Sequence, residues 1–576
     1  MRFPLPSPHS TLRRLALFML FLVALGLRTF RAFQEPVVNP DTIRFIDQAK
    51  MITVHPLQAV RQEVYHPLHS IAGLIVHTVI AGAFANDRIA WLVSMQVVGI
   101  LCGAIVALQI VWLARWIGAP FWAAIGAGFV WTVGRRTSAF GADGLSDMLF
   151  LAFFTAAMLV GFRALRGLQS QPGHRRRYLA FLLAGVLAGF AYLTRPEGLG
   201  AALILGITIV LLALPRPHRL TFSGPIMGRA FKLLPRWRPP PGATVAALVL
   251  LLVGTAIPAL PYMLAIGRIT GKISEEAALP MQVPPPVALA AMSPEKYPTL
   301  THFGRLVMEL WETFGFAPWL VLLLALPLRP RLWGRARLRL AVVVWAVIWI
   351  SVMVWLLERK SYLDGRHTLV LVVLLHALLA IAFGAWAAMA RCQVLRLRNV
   401  PCAAYRRWHG WGPVAGGTAC FLAALPGMIR LATPPLNDQY YIAQAAQWIK
   451  KNVRPDVTIC DNELRIGYYS GHPYALWEGL TADPRLAELA QTREPAPADA
   501  PHPIVAGEIY RPGNGDTPLT KIGPYVEIAR FHSVAAVHGD VLVLYARPDD
   551  HVLIGGGTGS GTSPASDSAA TQGRAP

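Results

Sequence analysis

The chain is predicted to be a polytopic α-helical membrane protein, with about 11 transmembrane helices and a small C-terminal external α/β domain. Three observations predict this. First, 54% of its 576 residues are apolar, only 15% are charged, and the mean hydropathy is +0.45. A soluble chain of this size carries roughly 25% charged residues. The balance excludes a disordered or fibrous chain and argues against a purely soluble enzyme. Second, apolar runs of bilayer-crossing length recur as far as residue 431. Third, the net charge of +22 is concentrated in short loops between those runs. That is the cytoplasmic signature of a membrane protein, so no nucleic-acid partner is expected.

The elements follow in order. Arg13 and Arg14 precede the apolar run Leu15 to Leu27, which resembles a signal peptide. No small-residue cleavage site follows, so the run is read as an uncleaved first transmembrane helix. Hydropathy puts spans near 14–32, 88–113, 119–134, 146–163, 178–194, 198–214, 243–265, 314–328, 340–357, 367–389 and 413–431. A further apolar stretch, 68–84, would swap the side of every later loop if it crossed. Without that crossing, the basic loops 174–177, 216–238, 329–339 and 391–407 all fall on the side of the N-terminus. The positive-inside rule therefore makes 68–84 an interfacial or re-entrant helix, with the N-terminus inside and the C-terminus outside.

The expected domains are a transmembrane module, 1–432, with a first external loop at 33–87, and an external α/β domain, 433–549. In that domain QYYIAQAAQWIKKNV reads as an amphipathic helix, and VTICD, PIVAGEI, YVEIARF and VLVLYA read as strands. The Gly/Ser/Thr/Ala-rich tail, 550–576, is read as disordered. None of the five cysteines forms a C-x-x-C pair, so no disulfide framework or thiolate metal site is expected.

Candidate chemistry lies on the external side. In NPDTIRFIDQA, Asp41 reads either as a first-turn acid complementing the helix dipole behind an Asn39 cap, or as a general base at the interface. In YHPLHSIAGLIVHTV, His66 reads as a helix-start imidazole or as a donor to a phosphate or sugar hydroxyl; His69 and His77 read as packing residues. The loop 134–147 sets Arg135 and Arg136 against Asp143 and Asp147. External arginines run against the charge bias, and a bound anion such as a lipid phosphate would explain them. Arg195 stands alone in the turn of LAGFAYLTRPEGLG, and ERKSYLDGRH adds Arg359, Lys360, Arg366 and His367 to the same side. These groups would form an electropositive rim around the carboxylates; separate snorkelling anchors are the alternative. No Walker motif, dinucleotide fingerprint, H-E-x-x-H or G-x-S-x-G elbow appears.

In order and spacing, NPDTIRFIDQAK, YHPLHSIAGLIV, RIAWLVSMQVVGILCGAIVALQIVWLARWIG, SDMLFLAFFTAAMLVGFRAL and LAGFAYLTRPEGLG resemble the GT-C glycosyltransferases. The similarity is to the bacterial relatives of dolichyl-phosphate-mannose protein mannosyltransferases and of the lipid A aminoarabinose transferase. It is good over 14–215 and loose over 243–431. It implies a GT-C-like fold in the cell inner (plasma) membrane and inverting transfer of a sugar from a polyprenyl-phosphate donor at the external face. The acceptor is left open among glycan, lipid and protein. By resemblance, Asp41 matches the proposed catalytic base and Asp147 the acidic position of the second external loop. His66 matches the residue before proline, where relatives have His or Lys, and Arg195 the arginine of the T-R-P-E-G signature. No cofactor is firmly implied. Asp41 and Asp147 could share a divalent metal, although the relatives mostly do without one, and no metal ligand is assigned.

The residue types suit that chemistry. An acceptor hydroxyl is a poor nucleophile until a carboxylate takes its proton. A departing polyprenyl phosphate needs cationic donors, and its tail needs an apolar groove. The alternative is a polytopic transporter or lipid flippase, which should carry polar or broken helices at the midplane.

Overall fold

The computed structural model describes residues 8–34, 37–62, 65–170, 175–214, 240–270, 302–325, 336–360, 365–397, 411–432, 440–461, 464–476 and stretches of 504–553. Among these, α1 (Pro8–Gln34), α2 (Pro40–Val54), α3 (Pro56–Gln62), α4 (Leu68–Ile80) and α5 (Asp87–Ile117) lead to α6 (Phe121–Val133), α7 (Arg135–Ala142), α8 (Asp147–Ser170) and α9 (Arg175–Thr194). Then come α10 (Leu199–Ala213), α11 (Pro241–Ile266), α12 (His302–Phe314), α13 (Phe316–Ala325), α14 (Ala336–Lys360), α15 (Gly365–Leu397) and α16 (Trp411–Ala432). Two compact units divide the chain, and the described residues of the second are 37–44 and those from 440 onward. The division falls inside α2, between Arg44 and Phe45.

The first unit is a polytopic helical membrane module. Among the described residues, seven helices are long and apolar enough to cross a membrane: α1, α5, α8, α10 with its preceding turn, α11, α14 and α15. The apolar parts of α6, α9 and α16 are shorter, Phe121–Val133, Tyr178–Thr194 and Gly416–Leu431. The stretch 68–84 folds as α4 plus one 3₁₀ turn. Its 13 α-helical residues rise only about 20 Å, short of a bilayer core of about 30 Å.

The expected span 314–328 holds α13, with 326–328 outside the described residues, and it is preceded by a bend, because α12 and α13 meet at 104°. Gly315, at φ 92°, takes the left-handed conformation at the break, which only glycine adopts cheaply. Counted as one broken span, the pair brings the total to eight.

Small residues set the helix contacts that position the site. A Cβ on Gly185 would lie 2.8 Å from Thr255 N, and one on Gly254 would lie 3.0 Å from Val186 N. Helices α9 and α11 therefore touch backbone to backbone, as small-residue interfaces in membranes allow. On α5, Gly99 and Gly103 make a groove. A Cβ on Gly99 would lie 2.7 Å from the Gly141 carbonyl at the end of α7, and one on Gly103 would collide with the buried Arg28 guanidinium. The groove seats the turn that leads into α8.

The second unit contains α17 (Tyr440–Asn452), α18 (Arg465–Ser470) and the strands β1 (Thr458–Asp461), β2 (Tyr474–Leu476), β3 (Ile504–Tyr510), β4 (Lys521–Ile522), β5 (Tyr525–His532) and β6 (Val541–Ala546). Their order in one sheet is β2-β1-β3-β6-β5-β4. β1 pairs in parallel with β2 and β3, and the other pairings are antiparallel. All six residues of β6 are buried, which is why VLVLYA is an unbroken apolar run. α17 buries Tyr441, Ile442, Ala445, Ala446 and Ile449, an i, i+4 stripe. Val37 joins that core, and the Val38 N–H donates to the Tyr469 hydroxyl at 2.8 Å. The expected tail boundary at 550 also shifts. Val552 is buried and Leu553 bridges to Val453, because this apolar pair packs onto the unit's core; 554–576 lie outside the described residues.

Candidate active site

Asp147 opens α8 after a turn in which Gly144 has φ 71°. The residue is 1% exposed. His69, on α4, holds this turn: its Nε2 donates to the Gly144 carbonyl at 2.7 Å. Burial pushes the His69 pKa down to about 4, against the pull of that bond and of the Asp147 charge, so the imidazole is neutral at pH 7.

Arg195 sits between α9 and the 3₁₀ turn Pro196–Gly198, in extended conformation. The following proline favours that conformation. Gly198 has no room for a Cβ, which would strike the Ala191 and Tyr192 backbone. The turn aims the guanidinium at two carboxylates. Nη1 donates to Asp147 Oδ1; Nη2 and Nε donate to Glu197 Oε1 and Oε2 at 3.2 and 3.4 Å. Its carbon lies 5.8 Å from the Phe150 ring centroid. Burial alone would lower the Arg195 pKa. The charges of Glu197 and Asp147 outweigh burial and the repulsion from Arg366, and hold it above the ordinary arginine value. Asp147 Oδ2 is buried with no hydrogen-bond partner among the described residues.

Beside this ion-paired centre lies a small open cleft. Arg195, Glu197, Arg366 and His367 form its polar side, and Trp349, Val352, Met353 and Leu356 of α14 its apolar side. Arg366 and His367 occupy the first turn of α15, whose N-terminal end adds partial positive charge. The Trp349 indole donates to the His367 carbonyl at 3.1 Å. The result is a shallow cleft with a charged, mainly basic side against an apolar wall.

Of the residues expected to act, the structure brings Asp147, Arg195 and Arg366 together. His367, expected in the same basic rim, lines the cleft with Arg366, and the structure adds Glu197 and His69, which the sequence offers only as helix-start and packing residues. Asp41 lies in the first turn of α2, half-buried, and its N–H is capped by Asn39 Oδ1 at 3.0 Å. His66 is buried elsewhere in the first unit. Its Nε2 is 3.3 Å from Thr270 Oγ1, and its ring packs against Tyr192 and Tyr262. Arg136 bonds Glu309 at 2.8 Å, Thr313 at 3.3 Å and Glu312. Arg135 is exposed, and Asp143 caps the C-terminal end of α7. None of His66, Arg135, Arg136 and Asp143 lines the cleft. The Lys360 side chain lies outside the described residues.

Among the described residues no three His, Cys, Asp or Glu side chains gather as a metal set. Asp147 and Glu197 are the carboxylates here, and Arg195 bonds both. A divalent ion needs more oxygen donors than this. The described residues of this unit do not fit one.

No family model and no curated protein matches the sequence. The backbone is similar to that of the oligosaccharyltransferase AglB from Archaeoglobus fulgidus, solved with an inhibitory peptide and a dolichol-phosphate. The TM-score is 0.50 and identity 12%, over 86% of this chain and 69% of that one. The Archaeoglobus fulgidus oligosaccharyltransferase tethered to an acceptor peptide matches at TM-score 0.48 and 12% identity, over 82% and 64%. ArnT from Cupriavidus metallidurans, bound to undecaprenyl phosphate, matches at 0.48 and 15%, over 93% and 97%. The chain thus spans about two thirds of the length of the archaeal proteins. The likeness is one of fold, shared with AglB.

Proposed function

We propose that this protein is a membrane glycosyltransferase that moves a sugar, with inversion, from a polyprenyl-phosphate donor to an acceptor hydroxyl at the external membrane face. The observation that carries the reading is the cleft. Arg195, Arg366 and His367 meet an apolar wall of Trp349, Val352, Met353 and Leu356. That combination suits an amphiphile with an anionic head and a hydrocarbon tail. Arginines offer charge-assisted donors to phosphate oxygens, and the first turn of α15 favours an anion further. The dolichol-phosphate held by AglB is a ligand of this chemical kind.

In the proposed reaction the Asp41 carboxylate takes the acceptor hydroxyl proton. The acceptor oxygen bonds to the anomeric carbon on the face opposite the phosphate. The anomeric C–O bond to phosphate breaks, and polyprenyl phosphate leaves with the electron pair. Arg195, Arg366 and His367 stabilise the leaving charge, and Asp147 orients Arg195. The one-sided basic loops support a cytoplasmic N-terminus, an external C-terminal domain and an inner (plasma) membrane setting. The acceptor is a glycan, lipid or protein hydroxyl. A flippase would use a broken helix to line a polar path. The broken pair here, α12 and α13, has Glu309 and Glu312 closed by Arg136, which favours the transferase.

The test is kinetics in nanodiscs with a short-chain polyprenyl-phosphate sugar. Arg195→Ala and Arg366→Gln should each weaken the donor about 10- to 100-fold, the equivalent of roughly 1.5–3 kcal/mol per charge-assisted contact. Donor parameters like wild type in both variants would overturn the reading.

A further inference from the structure

Arg136 and Gly365 form a knot directly behind the cationic side of the cleft. Arg136, on α7, bonds three residues of α12: Glu309, which is 3% exposed, Glu312 and Thr313. Gly365, the first residue of α15, is buried against the same group. A Cβ there would overlap Arg136 Nη1 and lie 2.9 Å from Thr313 Oγ1. The next two residues, Arg366 and His367, line the cleft. The Gly365 carbonyl accepts from the Thr368 hydroxyl at 2.7 Å, closing the first turn of α15.

We infer that Arg136 is a positioning residue that sets Arg366 and His367 through Gly365, rather than a ligand of the phosphate. The inference rests on the cleft being the polyprenyl-phosphate site. Arg136 does not line the cleft, whereas Arg195 and Arg366 do. Its ion pairs with Glu309 and Glu312 fix the guanidinium in place, and the start of α15 packs onto a fixed surface. Glycine is required at 365 because both atoms that a Cβ would meet are held: the Arg136 nitrogen by its glutamates, and the Thr313 hydroxyl by Arg136. Three elements, α7, α12 and α15, thereby meet at the peptide that carries Arg366. A side chain that touches no substrate can in this way govern how well one is held.

The experiment measures binding of a short-chain polyprenyl phosphate, without sugar, to the full-length protein in nanodiscs. Arg136→Gln, Gly365→Ala and Arg366→Gln are each tested singly, and each of the first two is combined with Arg366→Gln. Gly365→Ala leaves every charge in place, yet should weaken binding about tenfold by displacing Arg136 and the first turn of α15. Added to Arg366→Gln, either change should cost clearly less than it does alone, because both act in large part through Arg366. That non-additivity is a readout that general destabilisation does not produce. Losses that simply multiply would make Arg136 an independent ligand and overturn the inference, as would wild-type binding in Gly365→Ala. Arg136→Gln takes one ion-pair partner from each of two glutamates; should it not fold, the Gly365 and Arg366 pair of variants decides alone. The parent reading fails separately, when Arg195→Ala and Arg366→Gln bind the lipid phosphate like wild type.

Discussion

Asp147→Asn should make the protein bind polyprenyl phosphate more tightly while turning over more slowly. The Arg195 guanidinium is already committed: one nitrogen to Asp147 Oδ1, two to Glu197. An incoming phosphate must compete with these carboxylates for the same N–H groups. Asp147 is the stronger competitor, since its side chain is 2% exposed whereas that of Glu197 is 23% exposed and sits at 3.2 Å. A hydrogen bond to a charged group is worth roughly 1.5–3 kcal/mol net. Asparagine keeps the shape and an acceptor oxygen but loses the charge, so part of that sum returns to the phosphate. Glu197 stays in place, which puts the expected gain near the lower end, about tenfold in Kd. Arg366 is close enough to repel Arg195, and weakening the anionic screen between them favours an added anion further. The folded protein should lose thermal stability, because a buried arginine is left with less countercharge. The assay is equilibrium binding of a fluorescent short-chain polyprenyl phosphate, with Arg195→Ala in parallel. Weaker or unchanged binding in Asp147→Asn, alongside weaker binding in Arg195→Ala, would refute competition for the guanidinium.

Two further outcomes are expected. His69 has a folded pKa near 4, below its ordinary 6.5, so the unfolded chain binds a proton in that interval that the folded chain does not. Its contribution, about 3 kcal/mol at most, is intact above pH 6.5 and lost as pH falls towards 4. His69→Gln should flatten the fall of Tm across that window in detergent, and an equally steep fall in both proteins would contradict this. Asp41→Asn should abolish transfer with Tm nearly unchanged, because Asn39 supplies the cap at the start of α2. Turnover above about a tenth of wild type would remove Asp41 as the base.

What the sequence made legible, and what it hid, follows from the range of each interaction. Runs such as 88–113 and 367–389 are visible because a membrane helix must satisfy its backbone internally and face hydrocarbon, and both demands are written locally. VLVLYA was readable as a strand for the same local reason. The break at Gly315 was not, because one glycine in an apolar stretch is also tolerated inside a helix; the left-handed turn depends on how α12 and α13 pack. At the site, Arg195 stood out because an arginine on the side read as external opposes the charge bias. Its partner Asp147 is 48 residues away, and nothing local distinguishes that aspartate from an ordinary helix-start acid. His69 passed for a packing residue because its work is done on the Gly144 carbonyl, a group with no sequence signature. Arg136 drew attention as an unexplained external cation, and the explanation lay in Glu309 and Glu312. Those two glutamates are spaced i, i+3 on α12, so one guanidinium can reach both. The spacing was readable, but its meaning required knowing which arginine faces that helix. Individual charges in this sequence thus marked where chemistry could lie, while the fold decided which of them line the cleft: Arg366 and His367, at the first turn of α15, do so, and Arg136 does not.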